Sequence, residues 1–363
     1  MKITNRLLYA QINKDIARST EKMFKLNNQI SSGKRITTPS DDPLGLSSVL
    51  INRTELNMFS QYKNAINYST GWLNRMESLL QDTDDILGRA GELAVQQSNA
   101  TATADTRKGA AEEIKQLRTM IQSNSNSKYG NKYLFSGTRT QTQPFLFVDV
   151  EKWKDDVSTM GTAPAAPSEG TRYINSADNH IYEYTSGAWA DQGAPAEGDS
   201  AIVADQSSSM YVFEGGQWKP MYQGNDSIFS LQIGRGSTVE TNIPGSTVFS
   251  NPQGDINMTL LRLEKALRSN DVEGIRAEIS KIEYSSTIIN NNLALIGANI
   301  NKLDHTKSVL DVATVDTKES ISNVEDLDYA EGITSLQNQQ TIYQATLKSA
   351  SMITGLSLVD YID

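Results

Sequence analysis

The sequence predicts a mainly α fold: a long antiparallel coiled-coil shaft formed by the N- and C-terminal flanks, with a β-rich domain inserted in the middle. Three observations carry this. Seven of the nine prolines lie between Arg139 and Asp255. Proline costs about 3 kcal/mol inside a helix, so both flanks are free to be long helices and the middle is not. Three of the four tryptophans (Trp153, Trp189 and Trp218) share that middle. Both flanks also repeat apolar residues at alternating steps of three and four, which keeps one narrow stripe turned toward a partner helix.

The first series is Tyr9, Ile12, Ile16, Ser19, Met23, Leu26 and Ile30. The second is Phe59, Tyr62, Ile66, Ser69, Leu73, Met76, Leu80, Thr83, Leu87, Ala90 and Ala94. The C-flank gives Ile275, Ile279, Ile282, Ser286, Ile289, Leu293, Ile296, Ile300, Leu303, Lys307 and Leu310. The last series is Tyr329, Ile333, Leu336, Gln340, Tyr343, Leu347, Ala350 and Thr354. At about 1.5 Å per residue, Ile275 to Leu310 makes a rod of roughly 50 Å. A compact helical bundle is the bland alternative; four long, narrow-striped segments favour the shaft.

Cap signals set the boundaries. Gly33 suits the left-handed turn that ends a helix. Thr38 precedes Pro39, which disfavours helix there, and Asp42-Pro43 reads as an N-cap with a first-turn proline. Asp255 and Asp271 read as further N-caps. Ser322 and Glu325 have capping-box spacing and are expected to start the last helix. Ala104 to Ser123, with Ile114, Leu117 and Ile121 on one face, predicts a shorter helix. The expected organisation is a terminal assembly domain over 1–40 and 320–363. A helical shaft follows over 41–145 and 255–319, then an inserted β-rich domain over 146–254.

The insert contains a repeat. Pro167, Glu169 and Gly170 recur 28 residues on as Pro195, Glu197 and Gly198. Tyr182, Tyr184, Gly187 and Trp189 recur 29 residues on as Tyr211, Phe213, Gly216 and Trp218. Alternating aromatics, a glycine turn and a tryptophan make a hairpin or small meander in each copy. The two copies span about 167–189 and 195–218. Gly234, Gly236 and Gly245, with Val239, Ile243 and Val248, continue the strand-and-turn character.

Composition excludes several function classes. With 43 acidic and 33 basic residues the net charge is −10, which argues against a nucleic-acid partner. Zero cysteines remove disulfides, thiolate metal sites and cysteine nucleophiles. The two histidines, His180 and His305, are far apart in sequence, which rules out a multi-His metal site. No apolar run approaches a membrane span of roughly 18–20 residues, and Arg6, Asn13 and Lys14 interrupt any signal-peptide core. No metal and no cofactor are expected.

Individual motifs weaken on inspection. Gly234-Arg235-Gly236 lacks the third glycine and the helix of a phosphate loop. Asp82, Asp84 and Asp85 read as a solvated helix face rather than a metal site. Asp178 and His180 sit in a repeat turn whose other copy has Ser207 and Ser209, so a surface loop is expected. Trp189 and Trp218 suit the small core of each repeat better than sugar stacking. No constellation of acid, base and nucleophile remains, and the chain reads as a non-enzyme.

The stretch SSGKRITTPSDDPLGL, Ser31 to Leu46, joins two heptad segments and is dense with turn chemistry. It resembles the N-terminal element of the flagellin family. The stretch from Asn323 to Ile362 resembles the final helix of the same family. GNKYLFSGTRTQTQPF (Gly130 to Phe145), Tyr222 to Asp226, Leu231 to Gly245 and the opening MKITN are similar to the hook–filament junction class within that family. The resemblance covers about two thirds of the chain, in order; Gly161 to Pro220 has no counterpart in it.

That resemblance implies an extracellular structural subunit of the bacterial flagellum, an adapter layer between hook and filament. The implied partners are the other hook-associated junction protein on the hook side, flagellin on the filament side, identical subunits in a helical layer, and an export chaperone. It implies type III flagellar export without a cleaved signal. The expected assembly interface is Ile12, Ile16, Met23, Leu26 and Ile30 with Ile333, Leu336, Tyr343 and Leu347. The expected turn motif is Gly33, Arg35, Pro39, Asp41, Asp42 and Gly45, with Arg35 paired to Asp41 or Asp42. The two terminal helices are expected to pair antiparallel, with the insert at the far tip, and to be largely disordered in an isolated monomer. The competing readings are a flagellin-type filament subunit and a carbohydrate-binding adhesin centred on Trp189 and Trp218.

Overall fold

The computed structural model describes residues 2–204, 209–251 and 254–359. Ser207 and Pro252 lie outside the described residues, as do the side chains of Arg6 and Thr354. The chain forms two compact units. One holds the described residues up to Gln61 and from Ser308 onward; the other is Tyr62–Lys307.

Seven α-helices dominate the described residues. They are α1 (Lys2–Ser32), α2 (Pro43–Gln97), α3 (Ala104–Ser125), α4 (Gly245–Val248), α5 (Ile256–Arg268), α6 (Val272–Glu325) and α7 (Tyr329–Val359). α2 and α6 run 55 and 54 residues without interruption, longer than the heptad series alone marked. The heptad reading explains what they bury. In α2, Ile66, Leu73, Leu80, Leu87 and Ala94 recur every seventh residue and are buried, as are Ser69, Met76, Thr83 and Ala90 between them. In α6, Ile275, Ile282, Ile289, Ile296, Leu303 and Leu310 do the same. The two polar heptad positions of α2 have partners: Ser69 Oγ lies 3.1 Å from Thr241 Oγ1, and Thr83 Oγ1 donates to Leu79 O at 2.7 Å.

The caps act much as the chemistry predicts. Asp42 accepts from Gly45 N–H at 2.9 Å, Asp255 from Met258 N–H at 2.8 Å and Asp271 from Gly274 N–H at 3.0 Å. Ser322 and Glu325 are a correction. Both lie in the last turn of α6, and α7 is opened by Asp328, which accepts from Ala330 N–H at 2.8 Å. Asp328 lies closer to the new helix and reaches its free N–H groups first; Glu325 is drawn into an ion-pair cluster described below. Asp82 and Asp84 also depart from expectation. They do not form a merely solvated face: Asp82 accepts from Asn124 Nδ2 at 2.6 Å, and Asp84 from the Ser286 hydroxyl, tying α2 to α3 and α6.

Among the described residues between α3 and α4 lie twelve short strands. A small hairpin, β1 (Lys128–Tyr129) with β2 (Lys132–Tyr133), precedes the repeat. One four-stranded sheet pairs β4 (Thr159–Gly161), which precedes the repeat, with β5 (Arg172–Asn175), β6 (Ile181–Thr185) and β7 (Ala188–Asp191) of the first copy, in that order. The second pairs β3 (Trp153–Val157) with β8 (Ser200–Val203), β9 (Ser209–Glu214) and β10 (Gln217–Pro220). In each sheet the first strand is parallel to the next and the rest are antiparallel. β11 (Ser230–Gly234) and β12 (Ser237–Glu240) form a last hairpin, with Gly236 at φ 72° in the turn that superficially matched a phosphate loop.

The repeated residues close the hairpins. The Glu169 carboxylate accepts from Ser186 N–H at 2.9 Å, and Glu197 accepts from Gly215 N–H at the same distance. Gly170 and Gly198 donate their N–H groups to Tyr184 O and Phe213 O, both at 2.9 Å. Gly187 and Gly216 take φ of 82° and 79°, a region open to glycine at little cost. The two sheets bury one shared core of Val157, Ile174, Ile181, Ala201, Val203 and Trp218. Trp218 donates its indole N–H to Asn179 O at 2.8 Å, while Trp189 is half-buried against Tyr173 and Tyr184. Asp178 accepts from His180 N–H and from the Tyr182 hydroxyl, and His180 Nδ1 sits 2.9 Å from Asp191.

Candidate functional site

The unit built from the chain ends carries the sequence-predicted residues. α1 and α7 run antiparallel. Ile30 lies beside Gly332, where an added Cβ would stand 3.5 Å from its Cγ1. Further along, Met23 and Leu336 line one hollow, and Gln339 Nε2 donates to Ser19 Oγ at 2.7 Å. The polar heptad position Ser19 is therefore buried and bonded. Along the described residues α1 and α7 are helical throughout.

The pairing is thin. Ile12, Ile16, Met23, Leu26 and Ile30 are only half-buried, as are Leu336 and Tyr343. Ile333 and Leu347 do not face α1; they stand 46% and 41% exposed. The row of α7 turned to α1 keeps Leu336 and Tyr343 of the stripe drawn on sequence but has Gly332 and Gln339 in place of Ile333 and Gln340, because glycine and glutamine carry no apolar signal. Thirteen of the nineteen large apolar side chains exposed among the described residues belong to this unit, less than a third of the chain. They include Phe24 on α1, Ile51 on α2, Val312 and Val315 on α6, and Ile342 and Met352 on α7.

The turn from Ser31 to Leu46 is tied down by charge. Gly33 ends α1 at φ 69°, and an added Cβ would fall 2.7 Å from the Tyr329 hydroxyl oxygen. Gly33 O accepts from Leu327 N–H, and Arg35 N–H donates to Glu325 O at 2.7 Å, so the two chain segments bond through their backbones. Arg35 pairs with Asp42 at 3.0 Å and donates to Val324 O at 2.8 Å. Asp41 pairs instead with Lys25 at 2.7 Å, and its carboxylate takes the N–H groups of Thr37 and Thr38. Lys25 first, then the backbone at Thr38, holds Asp41 far below the ordinary carboxylate range. The Gly45 N–H and then Arg35 lower Asp42. Pro39 is exposed at the crest of the turn, and Gly45 sits over Asp42 and Ile36, where an added Cβ would push on both side chains.

Glu325, marked in the sequence only as half of a capping box, is the charged centre of this turn. Its side chain is 9% exposed, and Lys34 Nζ and Arg53 both reach it at 2.7 Å. Burial works against its charge, but Lys34 and then Arg53 outweigh that and keep it ionised below its ordinary range. Lys34, Arg53 and Glu325 are far apart in sequence, and an ion pair leaves no local pattern. Gln29, which donates to Arg35 O at 2.6 Å, is equally silent in the sequence.

Both ends of this architecture recur in known proteins. Residues 3–140 match the bacterial flagellin N-terminal helical region, and residues 279–362 match the bacterial flagellin C-terminal helical region. The chain belongs to the flagellin family. Both halves of the pair α1 and α7, the turn and its Glu325 anchor fall inside the matched regions. The chain is 26% identical over 365 aligned positions to flagellar hook-associated protein 3 of Escherichia coli, covering 99% of this chain and 98% of that protein. It is 26% identical over 363 positions to the Salmonella typhimurium protein of the same name, with the same coverage. In fold it is similar to the crystal structure of flagellar hook-associated protein-3 from Legionella pneumophila. The TM-score is 0.52 at 12% identity, covering 76% of this chain and 98% of that one.

Proposed function

We propose that this flagellin-family chain is a structural subunit of the bacterial flagellum that forms the adapter layer between hook and filament. It assembles head-to-tail through its terminal helices. The observation that carries the reading is the concentration of exposed apolar side chains on the unit made of the chain ends, around a thin helix pair. A contact between unlike surfaces that does not close generates a helical lattice. Full-length similarity to flagellar hook-associated protein 3 supports the junction role over a filament role.

In this reading residues 1–40 and 320–363 form the assembly domain, 41–145 and 255–319 the shaft, and 146–254 the insert. Ile12, Ile16, Met23, Leu26, Ile30, Leu336 and Tyr343 hold the helix pair, and Ile333 and Leu347 meet neighbours. Gly33, Arg35, Pro39, Asp41, Asp42 and Gly45 fix the angle between inner and outer helices. The neighbours are the other hook-associated junction protein, flagellin and identical subunits. The chain travels outward by flagellar type III export, unfolded and escorted by a chaperone. Among the described residues no helix is long and apolar enough to cross a membrane.

Deletion of the gene followed by electron microscopy tests this. Hooks without filaments, with monomeric flagellin released into the medium, are the expected result. Normal filaments on the deletion strain, or long filaments grown from the purified chain alone, would sink it. The adhesin reading finds no support at its anchor, because Trp218 is 9% exposed with its indole N–H already donated.

A further inference from the structure

The first repeat copy carries a charged cluster that the second lacks. Tyr182 of β6 is the cross-strand partner of Asp191 of β7. Alternate residues of a strand share a face, which puts His180, just before β6, beside both. The His180 Nδ1 lies 2.9 and 3.0 Å from the two Asp191 carboxylate oxygens. Asp178, in the turn before β6, accepts from the His180 backbone N–H at 3.0 Å, the Tyr182 hydroxyl at 2.9 Å and Asn175 Nδ2 at 3.2 Å. Twenty-nine residues on, the second copy has Ser209 and Pro220 where the first has His180 and Asp191. The pair is therefore not needed to build the repeat.

Asn179, between Asp178 and His180, is the joint to the second copy. Its φ of 65° is a left-handed conformation that asparagine adopts more readily than most residues. Its backbone O accepts from the Trp218 indole N–H at 2.8 Å, and its Nδ2 donates to Gly216 O at 3.3 Å. Trp218 belongs to the core that the two sheets share. The turn pinned by Asp178 and His180 is thus the turn that meets the second copy.

The charges facing the imidazole, among the described residues, have one sign. Asp178 comes from the turn and Asp191 from β7, and the Tyr182 hydroxyl of β6 is a neutral donor turned to Asp178. Arg172 and Glu183 pair with each other at 3.0 Å on the opposite face of β6. The His180 N–H, then the Tyr182 hydroxyl, hold Asp178 below its ordinary value of 3.8. The His180 ring, then the Gly193 N–H, do the same for Asp191. Both carboxylates therefore stay ionised well into acid. An imidazolium always presents an Nδ1–H to Asp191, whereas a neutral ring does so in only one of its two tautomers. The protonated contact is also charge-assisted, and so the stronger of the two.

We propose that His180 is a pH-sensitive clasp between the two repeat copies: the imidazolium holds the turn on β7 and, through Asn179, seats it on Trp218, and the neutral ring lets that seat loosen. The clasp opens as pH rises through the range of about 5 to 8 where imidazoles lose their charge. It lies wholly in the Tyr62–Lys307 unit and shares no residue with the Ser31–Leu46 turn or the terminal helices, so it stands independently of the flagellar reading.

Hydrogen exchange of the indole N–H groups tests this in the full chain carrying isotope-labelled tryptophan, followed by NMR, with each rate divided by that of free tryptophan at the same pH. Protection of the Trp218 indole is expected to fall about two- to five-fold from pH 5 to pH 8, the scale of a partly exposed ion pair. Protection of the buried Trp72 of α2, outside the insert, is expected to stay level. Asp191→Asn keeps the shape and removes the charge, and His180→Gln removes the proton. In both, Trp218 protection is expected to sit at the native pH 8 level at either pH. Trp218 protection that is constant or rises with pH in the native chain, a fall that Trp72 shares, or a fall of native size in either variant would overturn the proposal.

Discussion

Replacing Glu325 with alanine removes the anchor of the turn while leaving every apolar contact of α1 and α7 in place. Two ion-pair partners are lost: Lys34, and Arg53, whose Nη2 donates to both carboxylate oxygens. Such bonds contribute about 1.5–3 kcal/mol each when both partners are desolvated. Here Lys34 and Arg53 are 41% and 46% exposed and recover water once the carboxylate is gone. Discounted for that screening, the loss is about 1–3 kcal/mol for the cluster. Amide exchange followed by mass spectrometry reads it directly, because local opening sets the protection of marginal elements. The Arg35 N–H bonded to Glu325 O and the Leu327 N–H bonded to Gly33 O are the reporters. Their exchange is expected to accelerate roughly 5- to 150-fold, and α1 and α7 to lose protection together. Acid should reproduce the effect in the native chain. Glu325 is held below its ordinary value of 4.5, so its stabilisation is complete above that value and is lost as pH falls through the lowered one. Asp41 and Asp42 act in the same direction. Unchanged protection in Glu325→Ala, or a helix pair that loosens on raising the pH from 5 to 8 instead, would refute the reasoning.

Arg35→Ala breaks the pair with Asp42 and the bond to Val324 O; assembled junctions counted by microscopy should fall, and normal counts would remove Arg35 from the turn's function. Gly33→Ala forces a side chain at φ 69° against the Tyr329 hydroxyl and is expected to cost about 1–3 kcal/mol, seen as accelerated exchange in α7. Ile333→Glu with Leu347→Glu changes exposed positions, so the monomer's helicity by circular dichroism should hold while junction assembly fails. Glu264→Ala strips the partner from Arg118, whose side chain is 3% exposed, and breaking a buried pair costs about 3–5 kcal/mol. A fall in melting temperature of about 6–20 °C is expected, and a change under 2 °C would contradict the burial.

The long helices and the repeat are legible in the sequence because their signals are periodic. Seven-residue spacing alone puts Ile275, Ile282, Ile289 and Ile296 on one line, and the core holds all four. Glu169 and Glu197 stand out by recurrence, and each closes its own hairpin. Turn chemistry places Gly33, Asp42 and Gly45 through requirements each residue carries alone: a positive φ, an N-cap oxygen, an absent side chain. Which carboxylate Arg35 takes is open on spacing, since Asp41 and Asp42 are neighbours. Lys25, on the preceding helix, decides it by claiming Asp41.

The sequence by itself therefore determined that the flanks are long helices, where the turn falls, the duplicated insert and the family resemblance, because local propensity and periodicity are written along the chain. Only the tertiary structure decided how far α2 and α6 run, that Glu325 serves Lys34 and Arg53 rather than capping α7, and that Gly332 and Gln339 stand against α1 while Ile333 and Leu347 are exposed. Those outcomes depend on which groups meet across hundreds of residues, and a Coulomb or hydrogen-bond partner that far away imposes no spacing on the residues beside it.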